Sequence, residues 1–309
     1  MRILLYRSDG VIEPWVRDFA AALPHADTLV WSEGAPVEPC DYAVLWGATP
    51  ALLDQLGRVK AIFLMGAGVD GILKFGDALP GVPVVRLGDA GMGVQMAEYV
   101  AHAVLRYFRR FDDYEQQARR GVWEPLPPHA KEDFTVGVMG MGKLGMRVID
   151  TMRHFGFPVR GWSRSAKEAP GVQCFAGMDS LDAFLGGTRV LVSMLPLTPE
   201  TTNLLDRRRL SKLPQGAYLV NVARGAQVAE PDLLALVKSG HLAGATLDVF
   251  RHEPLPAPHP FWLEPRIAIT PHISALTVRA EAVRQIAHKI EALEHGLPVD
   301  DVVDRNRGY

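Results

Sequence analysis

"GVMGMGKLGMRV", residues 137–148, closes one apolar run, "FTVGVM" from Phe134, and opens an amphipathic stretch, "KLGMRVIDTMRHFG". Between the two stand Gly140, Gly142 and Gly145, in the spacing G-x-G-x-x-G. Spacing alone is weak evidence in a chain with 29 glycines; the position between a strand and a helix carries the argument. Gly140 allows the tight turn, Gly142 lets a pyrophosphate approach the backbone, and Gly145 lets helix and strand pack closely. The helix N-terminus then offers unpaired N–H groups and the positive end of its dipole to phosphate. Residues 137–148 thus read as the phosphate turn of a dinucleotide-binding α/β unit.

The next strand of that unit, "PVRGW", ends at Trp162. An acid usually follows there, accepting from a ribose 2′-hydroxyl and repelling a 2′-phosphate. Here Ser163 takes its place, 163 − 140 = 23 residues after the first glycine, and Arg164 follows. Ser163 can donate a hydrogen bond, and Arg164 offers a planar fork suited to phosphate. NADPH/NADP is therefore expected in preference to NAD.

Short β-rich runs recur on both sides of this unit. Before it stand "RILLY" (2–6), "DTLVW" (27–31), "YAVLW" (42–46), "AIFLM" (61–65) and "VPVVRL" (82–87). After it come "RVLVSML", "AYLVNV", "ATLDVF" and "RIAIT". Near-continuous apolar strands suit parallel sheets covered on both faces, since alternation is lost when neither face meets water. Residues 96–120 read as one long helix, with Met96, Val100, Val104, Tyr107 and Phe108 at helical spacing and His102 as a packing residue. Residues 276–296 read as another, with Val283, Ile286, Ile290 and Leu293 on one stripe. Glu230 to Ser239 is a third, stopped by Gly240. Pro-rich stretches at 125–128 and 254–260 read as surface loops.

With 309 residues, 48% hydrophobic, 22% charged and a net charge of −2, the chain has room for two domains. It has no global field for nucleic acid or anionic membranes. The run Arg207–Arg208–Arg209 reads as a solvated helix face. Two cysteines, Cys40 and Cys174, make no disulfide framework and no metal site. No run approaches the length of a membrane span, and "MRILLYRSDG" reads as a first strand instead of a leader. A cytoplasmic protein is expected.

Three segments fall just past predicted strands, where open α/β sheets place their ligands. They carry Arg224 in "NVARG", Asp248 and Glu253 in "LDVFRHEPL", and His272 in "TPHISA". A cation, a carboxylate and an imidazole suit carbonyl reduction by hydride. Arg224 would hold a substrate carboxylate and polarise the carbonyl. A histidinium would deliver the proton as charge grows on oxygen. A carboxylate against the imidazole would keep that proton available near neutral pH. His252 is a rival acid, read as exposed. No metal is expected, since His252, His259 and His272 lack ligand spacing.

"GMGKLG", "LPLTPET", "NVARG", "LDVFRHEPL" and "TPHISA", in this order, resemble the D-isomer-specific 2-hydroxyacid dehydrogenase family over nearly the whole chain. "WSR" and the ending "VDRNRGY" look most like its branch that reduces glyoxylate and hydroxypyruvate. The resemblance implies an α/β fold of two doubly wound parallel-sheet domains. One is a discontinuous, flavodoxin-like substrate domain, 1–97 plus 278–309; the other is a Rossmann cofactor domain, 98–277. It implies Arg224, Glu253 and His272 as the catalytic set, with Asp248 near the nicotinamide carboxamide. Cofactor contacts extend to Lys143, Leu144, Pro196, Val222 and Ser274. The turn in "MGAGVD", Gly66, Ala67 and Gly68, is implied to bind the substrate carboxylate through backbone N–H groups, which its glycines favour, with Arg224 and His272 as further substrate contacts. Trp46, Met65 and Trp123 are candidates for the pocket wall.

A homodimer is also implied, with the striped helix 96–120 as its physical support. Glu253 sets the chain apart from formate dehydrogenases, which carry glutamine there. Ser163, and the lack of a regulatory domain, disfavour phosphoglycerate-type activity. Two rivals remain. A nucleotide-sensing binding protein of the same fold would have little use for a complete Arg/Glu/His set. An NAD-dependent enzyme oxidising a D-hydroxy acid is opposed by Ser163 and Arg164.

Overall fold

The computed structural model describes residues 1–309. Its contacts divide the chain into two units, Met1–Gly91 with Thr277–Tyr309, and Met92–Leu276. No helix is long and apolar enough to cross a membrane.

The first unit is built on β1 (Arg2–Arg7), β2 (Asp27–Val30), β3 (Tyr42–Trp46), β4 (Ala61–Leu64) and β5 (Val84–Val85). They lie in the order β2-β1-β3-β4-β5, every pair parallel, which is the flavodoxin-like order. All four residues of β4 are buried, whereas the edge strand β2 has none buried; a strand covered on both faces must be apolar throughout. The helix Glu13–Ala22 buries Trp15 and Phe19. The helix Arg279–Glu294 returns to this unit and buries Val283, Ile286 and Ile290, while Leu293 is half-buried.

The second unit adds β6 (Val136–Met139), β7 (Val159–Ser163), β8 (Gln173–Ala176), β9 (Val190–Ser193), β10 (Ala217–Asn221), β11 (Leu242–Leu247) and β12 (Ile267–Ile269). The sheet runs β12-β11-β10-β9-β6-β7-β8, all parallel. Its order reverses beside β6, the switch point at which such sheets bind dinucleotides. The helix Lys143–His154 follows β6 and buries Gly145, Val148, Ile149 and Met152, one face of a turn-by-turn stripe. Both units are doubly wound parallel α/β folds, the second of the Rossmann type.

Several local expectations change. The long helix is two, Met92–Phe108 and Phe111–Arg119, broken at Arg110, whose φ of +58° is left-handed. Arg110 stabilises the break itself, through Asp113 at 2.9 Å and the Pro127 carbonyl at 2.9 Å. The stripe Met96, Val100, Val104 and Tyr107 is consumed inside this unit, against Val136, Val138 and Val148. His102 is exposed, so it does no packing. The edge strand β8, "QCFA", has no buried residue and escapes a reading based on apolar runs. The passage between units falls at Gly91–Met92, where the helix begins, ahead of the expected 97/98.

Candidate active site

β10, β11 and β12 are paired with Asn221 opposite Leu247 and Leu247 opposite Ile269. Their C-terminal ends are therefore level, and the segments that follow start side by side. Backbone bonds continue past the strands: the Asp248 N–H donates to the Asn221 carbonyl at 3.0 Å, and the His272 N–H to the Asp248 carbonyl at 2.9 Å. This places Arg224, Asp248 with Glu253, and His272 on three neighbouring strand ends.

Asp248 is fully buried. Its Oδ1 accepts the Thr270 hydroxyl at 2.5 Å and the Ile273 N–H at 2.8 Å, and its Oδ2 accepts the Ser274 N–H at 2.8 Å. Three charge-assisted bonds meet the cost of burying the carboxylate. The Thr270 oxygen also lies 2.5 Å from the Tyr99 hydroxyl. Burial, with the Asp248 charge behind it, pushes the Tyr99 phenol up to about 12. Tyr99 thus stays protonated and donates to Thr270, which donates to Asp248. The turn fixed in this way includes His272 at φ +56°, a conformation a residue with a Cβ adopts only under such constraint. Asp248 thereby shapes the His272 turn.

His272 Nδ1 lies 2.8 Å from Glu253 Oε2, and Glu253 Oε1 accepts the Phe250 N–H at 2.9 Å. A carboxylate only accepts, so Nδ1 carries a hydrogen and Nε2 is the nitrogen left for substrate. Both side chains are partly open, 47% and 36% exposed. His252 is exposed, as expected. Arg224 is half-buried, its Nη1 donating to the Ala223 carbonyl at 2.7 Å. The buried Asn221 holds the backbone around it, accepting from the Ala223 N–H and donating to the Arg224 carbonyl.

At the switch point after β6, Gly140 has φ +109°, and a Cβ there would lie 2.6 Å from the Met194 carbonyl oxygen. A Cβ on Gly145 would lie 1.8 Å from the Gly140 oxygen. The turn and helix cannot approach this closely with any other residue. A Cβ on Gly142 would meet open space, and no side chain caps the helix Lys143–His154. The positive end of its dipole suits an anion. The cradle fits a dinucleotide. Lys143 is exposed and Leu144 half-buried at its start.

Ser163 ends β7 buried, its hydroxyl donating to the Ser165 carbonyl at 2.7 Å. It shapes the turn and spends its proton there, while Arg164 is exposed beyond it. The fully exposed Glu200 is held below the usual carboxylate range, first by the Thr198 hydroxyl and also by the Arg164 charge. Lys167, overlooked in the sequence, reaches back to donate to the Met141 carbonyl of the glycine turn at 2.6 Å. Gln227 was also overlooked. Buried, it donates to the carbonyls of Leu195 at 2.8 Å and Pro196 at 3.0 Å and accepts from Ser193. It braces the half-buried Pro196, while Val222 and Ser274 are buried.

In the first unit, the turn Gly66–Ala67–Gly68 follows β4. A Cβ on Gly66 would lie 2.9 Å from the Trp46 ring, so the edge of the indole is pressed against the turn. Arg7 stacks on Trp15 and Trp46, with its carbon 5.1 and 5.2 Å from the ring centroids, and lies 3.7 Å from the buried Met65 sulfur. Only Trp46 and Met65 of this cluster carried a sequence signal. Trp123 is 98% exposed.

Residues 101–274 match the model of the D-isomer specific 2-hydroxyacid dehydrogenase NAD-binding domain. Over its full length the chain is 46% identical to the full length of a glyoxylate/hydroxypyruvate reductase A from Salmonella paratyphi C. Among solved structures it is similar to a D-isomer specific 2-hydroxyacid dehydrogenase from Xanthobacter autotrophicus Py2 in complex with NADPH and MES. The TM-score is 0.95 at 39% identity, covering 100% of this chain and 99% of that one. It is also similar to an NADPH-dependent glyoxylate/hydroxypyruvate reductase from Sinorhizobium meliloti in complex with NADP and sulfate. There the TM-score is 0.92 at 36% identity, with the same coverage. With the glycine cradle and the Arg–Glu–His strand ends in place, these likenesses show that the chain belongs to the D-isomer-specific 2-hydroxyacid dehydrogenase family.

Proposed function

We propose that the chain reduces small 2-oxo acids, glyoxylate and hydroxypyruvate foremost, to 2-hydroxy acids with NADPH. The observation that carries this is the 2.8 Å contact between His272 and Glu253 beside the strand end of Arg224, in a chain 46% identical over its full length to a reductase of that name. The bound nucleotide supplies the hydride. Arg224 holds the substrate carboxylate and polarises the carbonyl oxygen. His272, with Nδ1 on Glu253, delivers the proton from Nε2 as charge grows on that oxygen. Glu253 orients the imidazole and supports its positive form. We assign the backbone of Gly66, Ala67 and Gly68 to the substrate carboxylate as well.

For the cofactor, Gly140, Gly142, Lys143, Leu144 and Gly145 take the pyrophosphate. Pro196, Val222 and Ser274 line the nicotinamide side. Arg164 meets the 2′-phosphate, and Lys167, on the carbonyl of the glycine turn, supplies a second cation. Ser163 shapes that corner.

A cytoplasmic homodimer is the form proposed. The helix stripe no longer supports the dimer, because it is buried within one unit. The support is the segment 111–123, where Phe111, Val122 and Trp123 leave large apolar surface exposed. Cys40 and Cys174 are unpaired thiols, compatible with a reducing compartment.

The test is a panel of 2-oxo acids assayed with NADPH and NADH by loss of absorbance. Consumption of NADPH with glyoxylate and hydroxypyruvate is expected. Binding of NADPH with no consumption on any acid would favour the sensor reading.

A further inference from the structure

The His272–Glu253 pair is too exposed to hold itself in place. Ion pairs at such exposure are worth about 0–1 kcal/mol, and Glu253 sits in a stretch, 251–259, that has no helix or strand and is mostly exposed. Something must anchor that stretch from beneath. Glu230, the first residue of the helix Glu230–Lys238, does so at both ends. One carboxylate oxygen, Oε1, accepts the Arg251 N–H at 3.0 Å. The other, Oε2, stands 3.5 Å from His259 Nε2. His259 Nδ1 accepts the Phe261 N–H at 3.3 Å, so its ring hydrogen lies on Nε2, toward Glu230. Glu230 and His259 are only 15% and 19% exposed. A cavity of about 340 Å³ borders them, so both keep access to water.

The side chain of Arg251 secures the same end. Its guanidinium donates to Asn203 Oδ1, and lies 3.4 Å from the carbonyls of Ala226 and Val228. The loop also meets the segment after β10 closely: a Cβ on Gly225 would lie 1.9 Å from the Phe250 carbonyl carbon. The Arg224 segment and the Glu253 stretch are thus fitted to one another, with Glu230 spanning the latter from Arg251 to His259.

From this geometry we infer that Glu230 is a positioning residue for the proton-delivering pair: by holding both ends of the 251–259 stretch, it keeps Glu253 against His272. Glu230 touches neither cofactor nor substrate and acts only through Glu253. The inference rests on the reductase reading above.

Its test compares wild type, Glu230→Ala, Glu230→Gln, Glu253→Gln and the double variant Glu230→Ala/Glu253→Gln, using glyoxylate turnover and NADPH titration. Small displacements of a reacting group cost up to about a hundredfold; for Glu230→Ala we expect kcat about tenfold lower, with NADPH affinity unchanged. Glu230→Gln keeps an oxygen for the Arg251 N–H and should recover most of the loss. In the double variant, kcat should fall no further than in Glu253→Gln alone, within about twofold. Should Glu230→Ala not fold, His259→Ala, which frees one end only, should lower kcat by about threefold, again with NADPH affinity unchanged. A Glu230→Ala enzyme with wild-type kcat would overturn the inference, as would losses that multiply in the double variant. A wild type inactive on every 2-oxo acid would instead overturn the reductase reading, and the inference with it.

Discussion

The two sides of the seven-stranded sheet are built by opposite means. At β10 to β12, a fully buried aspartate, three bonds to its carboxylate and a left-handed histidine fix one turn. At β7, the outermost group is an exposed Arg164 on a turn shaped by Ser163. On the proposed reading the first holds a proton donor to fractions of an ångström, because proton transfer depends on geometry. The second need only present positive charge, and an exposed arginine does so. Damage to the first should therefore appear in kcat, and damage to the second in the KM of one cofactor.

The largest effect is expected at His272. His272→Ala should lower kcat by roughly 10²–10⁴, while NADPH binding by fluorescence titration stays near wild type. Substantial turnover would reopen the case for His252. Next comes Arg164→Ala, which should raise the NADPH KM by about tenfold and leave that for NADH nearly unchanged. An equal rise for both cofactors would show that the arginine does not read the 2′-phosphate. Of similar size is Glu253→Gln, which should lower kcat by about tenfold with NADPH binding unchanged. The amide still accepts from the Phe250 N–H but no longer carries the charge that holds the imidazole. A kcat equal to wild type would remove Glu253 from the proton path.

The same contrast separates what the sequence showed from what it concealed. The glycine turn was readable because each glycine answers to local geometry, a strand end and a helix start within a few residues. Arg224, Glu253 and His272 were readable as polar residues just past apolar strands. Lys167, Gln227 and Glu230 carried no such mark. Each earns its place through a partner that only the tertiary fold brings near: Lys167 by the Met141 carbonyl, Gln227 by Leu195 and Pro196, Glu230 by Arg251 and His259. The break at Arg110 was concealed for a related reason. The polar residues 109–113 fit an exposed helix turn equally well, and only the bonds of Arg110 to Asp113 and Pro127 decide for a reversal. Ser163 shows the converse. It stands where an acid usually meets the ribose, yet its proton goes to Ser165.

Independence of the two ends is open to one direct measurement. Four strand spacings separate β11 from β7 in the sheet order, about 19 Å, and sites that far apart combine without coupling. kcat/KM for glyoxylate with NADPH and with NADH is measured on wild type, Arg164→Ala, Glu253→Gln and the double variant. The expected result is that the losses multiply to within about twofold, with the shift in cofactor preference from Arg164→Ala undiminished in the Glu253→Gln background. A preference shift that vanishes in that background would contradict the division of labour between the two ends.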